Sequence, residues 1–217
     1  ARTLAPDARL ARERLRGWNG DFDGPSRAAP LAWALRVCAI ARLASLHLTP
    51  ALAAQYVEVA PAQGLTAVLR MVRERPNGWV PSDDVDAFLI GASEEAVALL
   101  RARGELAARW AQVGARTARH PLAALAFHAW DGVPFPGLGD AFSPHVQAPV
   151  LAQSFRAVWV PGAWQRGGIV IPQGESGEPG SPHYRDGAPL WLSGRLFPLP
   201  FGAAAVAEAS ERLTLAP

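Results

Sequence analysis

Gln173-Gly174-Glu175-Ser176-Gly177-Glu178-Pro179-Gly180-Ser181-Pro182-His183-Tyr184-Arg185-Asp186 sets three glycines, two prolines and two serines ahead of a compact His183-Tyr184-x-Asp186 cluster. Nothing in it before Tyr184 can fill a core. It follows a β-type run, Ile169 to Ile171, and precedes an aromatic-rich run, Leu190 to Phe201. A long aperiodic stretch between two structured runs reads as a fixed surface loop. Ser176 and Ser181 suit turn amides, and Pro179 and Pro182 reduce the entropy of the unfolded loop. Asp186 needs a partner and has two candidates, His183 and Arg156.

Outward from this loop the chain has two characters. Gly and Pro number 20 each in 217 residues. Most lie after residue 130, so the second part is rich in turns. Val146 to Leu151, Phe155 to Val160 and Gly168 to Ile171 read as strands, joined by turns at Pro161-Gly162 and Arg166-Gly167-Gly168. Ala203 to Ser210 reads as a short helix and Arg212 to Ala216 as a terminal strand. The first part reads as helices. Asp7 to Gly17 is amphipathic and ends at Gly17. Ser26 caps the next helix, whose first turn tolerates Pro30. Its apolar residues, Leu31, Trp33, Leu35, Val37, Ile40, Leu43 and Leu46, leave little polar surface, which marks it as central. Further helices fit Ala51 to Val59 and Leu65 to Arg75. A short one runs from Ser82 or Asp83 to about Ile90, and Ser93 caps a long one. Val97, Leu100, Trp110 and Val113 mark the buried face of that long helix, and Arg116 and Arg119 sit near its negative end. The expected architecture is α+β: a helical region, 1–128, packed on a small antiparallel sheet with long loops, 129–217.

Composition limits function. Half the residues are hydrophobic and 18% are charged, the balance of a packed globular chain. The net charge of +2, with no basic run, argues against nucleic acid. Leu31 to Leu48 is broken by Arg36, Arg42 and His47, which argues against a membrane span. The single cysteine, Cys38, cannot form a disulfide within the chain and reads as a small buried hydrophobe. His47, His120, His128, His145 and His183 form no HExxH motif and no close pair, so no metal is expected. They read as capping, surface or loop-packing residues. Ser181, His183 and Asp186 lie within six residues, whereas a catalytic triad draws on separated loops, and Gly174-Glu175-Ser176-Gly177 only approximates a nucleophile elbow. Gly137-Leu138-Gly139 follows no strand and opens no helix, which gives a phosphate cradle no support. The tryptophans read mainly as packing residues.

Taken in order, several segments resemble the C-terminal part of the penicillin acylase (penicillin amidase) family. Trp18-Asn19-Gly20 followed by Ser26 is similar to the family's Trp-Asp-Gly ahead of a serine-capped helix, with Asn19 for the usual Asp. Trp110, Gly114 and His120-Pro121-Leu122 resemble the segment between its long helix and its sheet, although Ala111, Gln112 and Arg116 depart from it. Ser154-Phe155-Arg156 resembles its Ser-Tyr-Arg strand, with Trp159 and Val160 where an acidic residue is usual. The strongest match is Gly174-x-Ser176-Gly177-x-Pro179-x-Ser181-Pro182-His183-Tyr184-x-Asp186, then Leu190-Trp191, Pro198-Leu199-Pro200-Phe201 and Arg212-Leu213-Thr214-Leu215.

The resemblance implies the last part of an αββα N-terminal-nucleophile hydrolase. In that family a self-cleaved precursor exposes a serine whose own α-amino group acts as base, and donors in an oxyanion hole stabilise the intermediate. The implied substrates are N-acyl compounds such as β-lactams with acyl side chains or acyl-homoserine lactones. Ala1 is not a nucleophile, so the serine and the oxyanion-hole asparagine are expected upstream, with no catalytic residue within the 217. Arg156, Ser176, Gly177, Ser181, Pro182, His183, Tyr184 and Asp186 then carry the family signature in a mainly structural role. The implied partners are the nucleophile-bearing segment, the small subunit and a small N-acyl substrate. No cofactor is implied, and the parent protein is expected in the periplasm or the medium. The alternative is a noncatalytic binding module derived from such an enzyme, with an aromatic groove around Trp159, Trp164 and Trp191.

Overall fold

Four helix starts in the first half are written by proline. Pro6, Pro30, Pro50 and Pro61 each occupy the first turn of a helix, where the missing N–H costs nothing. The computed structural model describes residues 3–147 and 152–208. Two compact units divide the chain, Ala1–Val113 and Gly114–Pro217. The expected change of character at 128/129 is compositional; the compact units separate earlier, just after the last helix of the first.

The first unit holds α1 (Pro6–Arg16), α2 (Ala29–His47), α3 (Pro50–Val59), α4 (Pro61–Glu74), α5 (Val85–Ala102) and the short α6 (Trp110–Val113). α2 is the hub and touches α1, α3, α4, α5 and α6. It is long and apolar enough to cross a membrane by length and composition, but half of it is buried in this unit. Ser26 Oγ accepts from the Ala29 amide at 3.1 Å, the expected cap. Buried alanines on α2 and α5 (Ala34, Ala39, Ala92, Ala96) bring the two helices close, and Leu31, Ile40, Met71, Phe88, Val97 and Leu100 fill the space around them. Each large side chain so buried contributes about 1.5–3 kcal/mol. Trp110 is fully buried and edge-on to Phe22, their centroids 5.0 Å apart.

Two expected helix boundaries are corrected. Val85 to Ala102 is one continuous helix, capped by Asp84, whose Oδ1 accepts from the Ala87 amide at 2.9 Å. Ser93 lies inside it and donates to the Leu89 carbonyl at 2.7 Å, so it caps nothing. The helix also stops well before Trp110. Gly104 takes a left-handed φ of 68°, its amide bonds to Arg101 O, and the Glu105 amide reaches back to Leu100 O. This glycine stop satisfies the terminal carbonyls and turns the chain. Trp110 and Val113 return to the core on a separate turn of helix, anchored by bonds from the Trp110 and Ala111 amides to Ser26 O and Gly24 O.

The second unit has short strands, all paired antiparallel. β1 (Arg116–Thr117) pairs with β2 (Pro134–Phe135), and β3 (Leu138–Gly139) pairs with β4 (Val146–Gln147). A three-stranded sheet runs in the order β5 (Arg156–Val158), β6 (Gly168–Val170), β7 (Phe197–Pro198). α7 (Ala188–Leu192) and α8 (Ala203–Ala207) complete the described part. The expected strand from Val146 is seen only through Gln147, because 148–151 lie outside the described residues. So do the end of the 203–210 helix and the whole 212–216 strand. The core gathers Phe135, Val170 and Trp191. The chain is thus α+β, helices first and small antiparallel sheets after, as the sequence predicts.

Candidate functional site

The loop from Gln173 to Asp186 closes on itself at a neck. The Gly174 amide donates to Tyr184 O at 2.8 Å and the Ser176 amide to His183 O at 3.1 Å. Glycine is required here, because a Cβ on Gly174 would lie 1.8 Å from the His183 carbonyl oxygen. Gly187 closes the other side, where a Cβ would lie 2.0 Å from the carbonyl oxygen of Gln173. Inside the loop, Ser176 Oγ accepts from the Glu178 amide and Ser181 Oγ from the His183 amide, each at 3.1 Å. The Ser181 amide returns to Glu178 O at 3.0 Å. Both serines therefore satisfy turn amides, as their positions predict. Gly177 and Pro182 are exposed, and a Cβ on Gly177 would meet nothing.

His183 Nδ1 and Asp186 Oδ2 lie 2.9 Å apart, so Asp186 takes the first of its two candidate partners. Arg156, the other candidate, sits elsewhere. Its Nε and Nη2 donate to Gln153 Oε1 at 2.9 and 2.7 Å, and its Nη1 donates to Trp191 O at 3.1 Å. Among the described residues no hydrogen bond joins Ser181 to the His183 ring, which is 72% exposed. The three residues are close in sequence without forming a relay.

Tyr184 fastens the loop to a distant turn. Its ring is buried, and its hydroxyl donates to Trp130 O at 2.6 Å. Arg185 lies over the Tyr184 ring and donates to Ala129 O at 3.0 Å and Asp131 O at 2.7 Å. The turn is itself tied by the Asp131 carboxylate, which accepts from the His120 amide at 2.8 Å and from Arg119 at 2.7 Å, with His128 Nδ1 at 3.0 Å. The His120 amide above all, with His128 and Arg119, outweighs burial and lowers the Asp131 carboxyl to about 2. Sequence reasoning missed Asp131 and Arg185, and it placed Arg119 at the end of a long helix that in fact stops at Ala102. No spacing rule joins them; the one local hint was an acidic residue in the Trp130-Asp131-Gly132 turn. His120 does cap, since its Nδ1 accepts from the Leu122 amide at 3.2 Å.

Two hollows flank these elements. One of about 290 Å³ lies beside the loop neck, lined in part by Ile169, Ile171, Gln173, Glu175, Asp186 and Phe197. The other, about 610 Å³, is lined by Trp159, Trp164, Leu199 and Phe201. Trp191 does not belong to that aromatic surface. It is fully buried against Phe135 and donates from Nε1 to Gln153 O at 3.0 Å. Among the described residues no cluster of three or more His, Cys, Asp or Glu is placed to hold a metal ion.

Residues 1–208 match the family model described as penicillin amidase. No curated protein matches the sequence.

Proposed function

The chain belongs to the penicillin amidase family, and from that premise we propose that it is the C-terminal structural segment of an amidohydrolase. The parent enzyme hydrolyses linear amide bonds of N-acyl compounds, with β-lactam side chains and acyl-homoserine lactones as the substrate classes. The attacking serine, whose own α-amino group serves as base, and the oxyanion hole belong to a segment upstream in family order. The partners are that segment, the small subunit and the substrate, and the parent protein acts in the periplasm or the medium.

One observation carries the scaffold reading. Among the described residues Ser176 and Ser181 accept from turn amides, and neither hydroxyl bonds the His183 ring, which pairs with Asp186. A nucleophile needs a base within hydrogen-bond reach of its hydroxyl, and Ser181 is bonded instead to a backbone amide. The test is hydrolysis of a chromogenic phenylacetyl amide. The purified chain alone is expected to be inactive, and the assembled parent enzyme active. In the parent, Ser181→Ala is expected to lower stability while leaving kcat within a few-fold. Turnover by the chain alone that disappears in Ser181→Ala would overturn the proposal.

A second reading is favoured by the exposed aromatic hollow at Trp159, Trp164, Leu199 and Phe201. There Trp159 is 54% and Phe201 58% exposed. A noncatalytic module would use this surface to bind a small apolar ligand. Quenching of tryptophan fluorescence by phenylacetate, lost in Trp164→Ala, distinguishes it from the scaffold reading.

A further inference from the structure

We propose that His145 and Arg156 form an acid-released latch holding the β3–β4 hairpin against β5 and α7. A guanidinium only donates hydrogen bonds. Arg156 Nη2 lies 3.1 Å from His145 Nε2, so that ring nitrogen is the acceptor and the imidazole is neutral, with its proton on Nδ1. Arg156 is not free to turn away. Its other bonds run to Gln153 Oε1 and to the Trp191 carbonyl at the end of α7. Gln153 completes the knot: its side-chain amide donates to Pro144 O, its backbone amide to Val146 O at 3.0 Å, and its carbonyl accepts the Trp191 indole. The hairpin, the approach to β5 and the end of α7 meet at this one point.

Protonation of His145 converts the acceptor into a donor and sets two like charges about 3 Å apart. The charge that acts on the ring is that of Arg156. Arg156 comes from β5 and is cationic. Gly194, from the turn after α7, carries no charge, and a Cβ there would lie 3.8 Å from the ring Cε1. From the hairpin itself, the Ser143 hydroxyl takes the Asp140 amide at 2.6 Å and donates toward His145 O at 2.7 Å. The hairpin also carries the buried Asp140 carboxylate, and the charge acting on His145 is that of Arg156. Burial first, and the Arg156 charge second, hold the His145 pKa below the ordinary value. The seated hairpin also buries a polar side chain. Gln147 on β4 is fully buried, and neither atom of its amide has a hydrogen-bond partner among the described residues. Seating the hairpin therefore carries a cost that the latch opposes. The contribution of neutral His145 is complete above about pH 6.5 and is lost as pH falls below it.

Hydrogen exchange of peptides within 138–147 tests the latch. It is measured in the purified protein between pH 7.5 and 5.0 and corrected for intrinsic rates. Protection is expected to fall on acidification, by at most about tenfold per pH unit for one proton, while amides of 157–170 keep theirs. His145→Gln supplies an oxygen that accepts from Arg156 at any pH, so this pH dependence is expected to vanish. Should that variant fail to fold, the ring Cε1 proton of His145 in the wild-type protein is followed by NMR, and it is expected to titrate below about 6.5. The latch is refuted by unchanged protection at pH 5.0, by the same loss in His145→Gln, or by a His145 that titrates at or above the ordinary value.

Discussion

Removing the Tyr184 hydroxyl separates a structural loop from a chemical one. Tyr184→Phe keeps the buried ring under Arg185 and deletes only the 2.6 Å bond to Trp130 O. A net hydrogen bond of this kind contributes about 1 kcal/mol, and a stranded carbonyl pushes the loss upward. The folding constant then falls about fivefold. With a urea dependence of about 1–3 kcal/mol per molar, the unfolding midpoint moves down by about 0.3–1 M with unchanged slope. Tyr184→Ala removes the ring as well, and loss of a buried aromatic side chain costs about 3–5 kcal/mol. Urea unfolding followed by tryptophan emission reports both, since Trp130 and Trp191 lie in this unit. In the amidohydrolase proposed above, Tyr184→Phe is expected to leave kcat within a few-fold. The reasoning fails if Tyr184→Ala lies within about 0.5 kcal/mol of wild type, the range of an ordinary surface change. It fails equally if Tyr184→Phe cuts kcat tenfold with stability intact.

Gly174→Ala drives a Cβ into the His183 carbonyl and must open the loop neck, so a loss of about 1–3 kcal/mol is expected on thermal unfolding; an unchanged Tm refutes the close approach. The Asp131 carboxyl, lowered to about 2, adds stability that is complete above about pH 4 and lost as pH falls through 2. Asp131→Asn should therefore flatten the acid-unfolding curve between pH 4 and 2, as read by circular dichroism, and an equal slope in the variant counts against the network. Cys38, raised to about 11 by burial and then by Glu95, should resist a disulfide reagent at pH 8 until denaturant is added; rapid labelling of the folded protein refutes this. Ser93→Ala is expected to be neutral or to stabilise by about 0.5 kcal/mol, since Ser93 sits inside α5; a loss of about 1 kcal/mol in urea unfolding would restore a capping role.

The helical half was readable because its instructions are local. Proline in the first turn, Ser26 three residues before the amide it caps, and apolar spacing along α2 act within a few residues of one another. Reading failed where a local signal was outweighed. Ser93 looked like a cap, but Asp84 upstream supplied one and the helix ran through. Trp110 continued the spacing of α5, but Gly104 had already turned the chain. The short strands were harder, since a pair such as Arg116 with Phe135 is set by the packing of Phe135 on Trp191 and not by any pattern at Arg116. Trp191 itself sits in an aromatic run that reads as a groove, and its packing on Phe135 and its bond to Gln153, 38 residues away, make it core.

The signature loop divides along the same line. Its internal bonds, Ser176 to Glu178, Ser181 to His183 and His183 to Asp186, span two or three residues and follow from turn chemistry. Its fastening spans 54 residues, from Tyr184 to Trp130, and has no sequence signal. This bears on function. Serine, histidine and aspartate are conspicuous here because they are adjacent, yet adjacency turns Ser181 to the His183 amide and not to the His183 ring. A working relay needs the hydroxyl to face the imidazole, a geometry usually supplied by groups brought from separate segments. The proximity that makes Ser181, His183 and Asp186 visible in the sequence is what commits them to holding the loop.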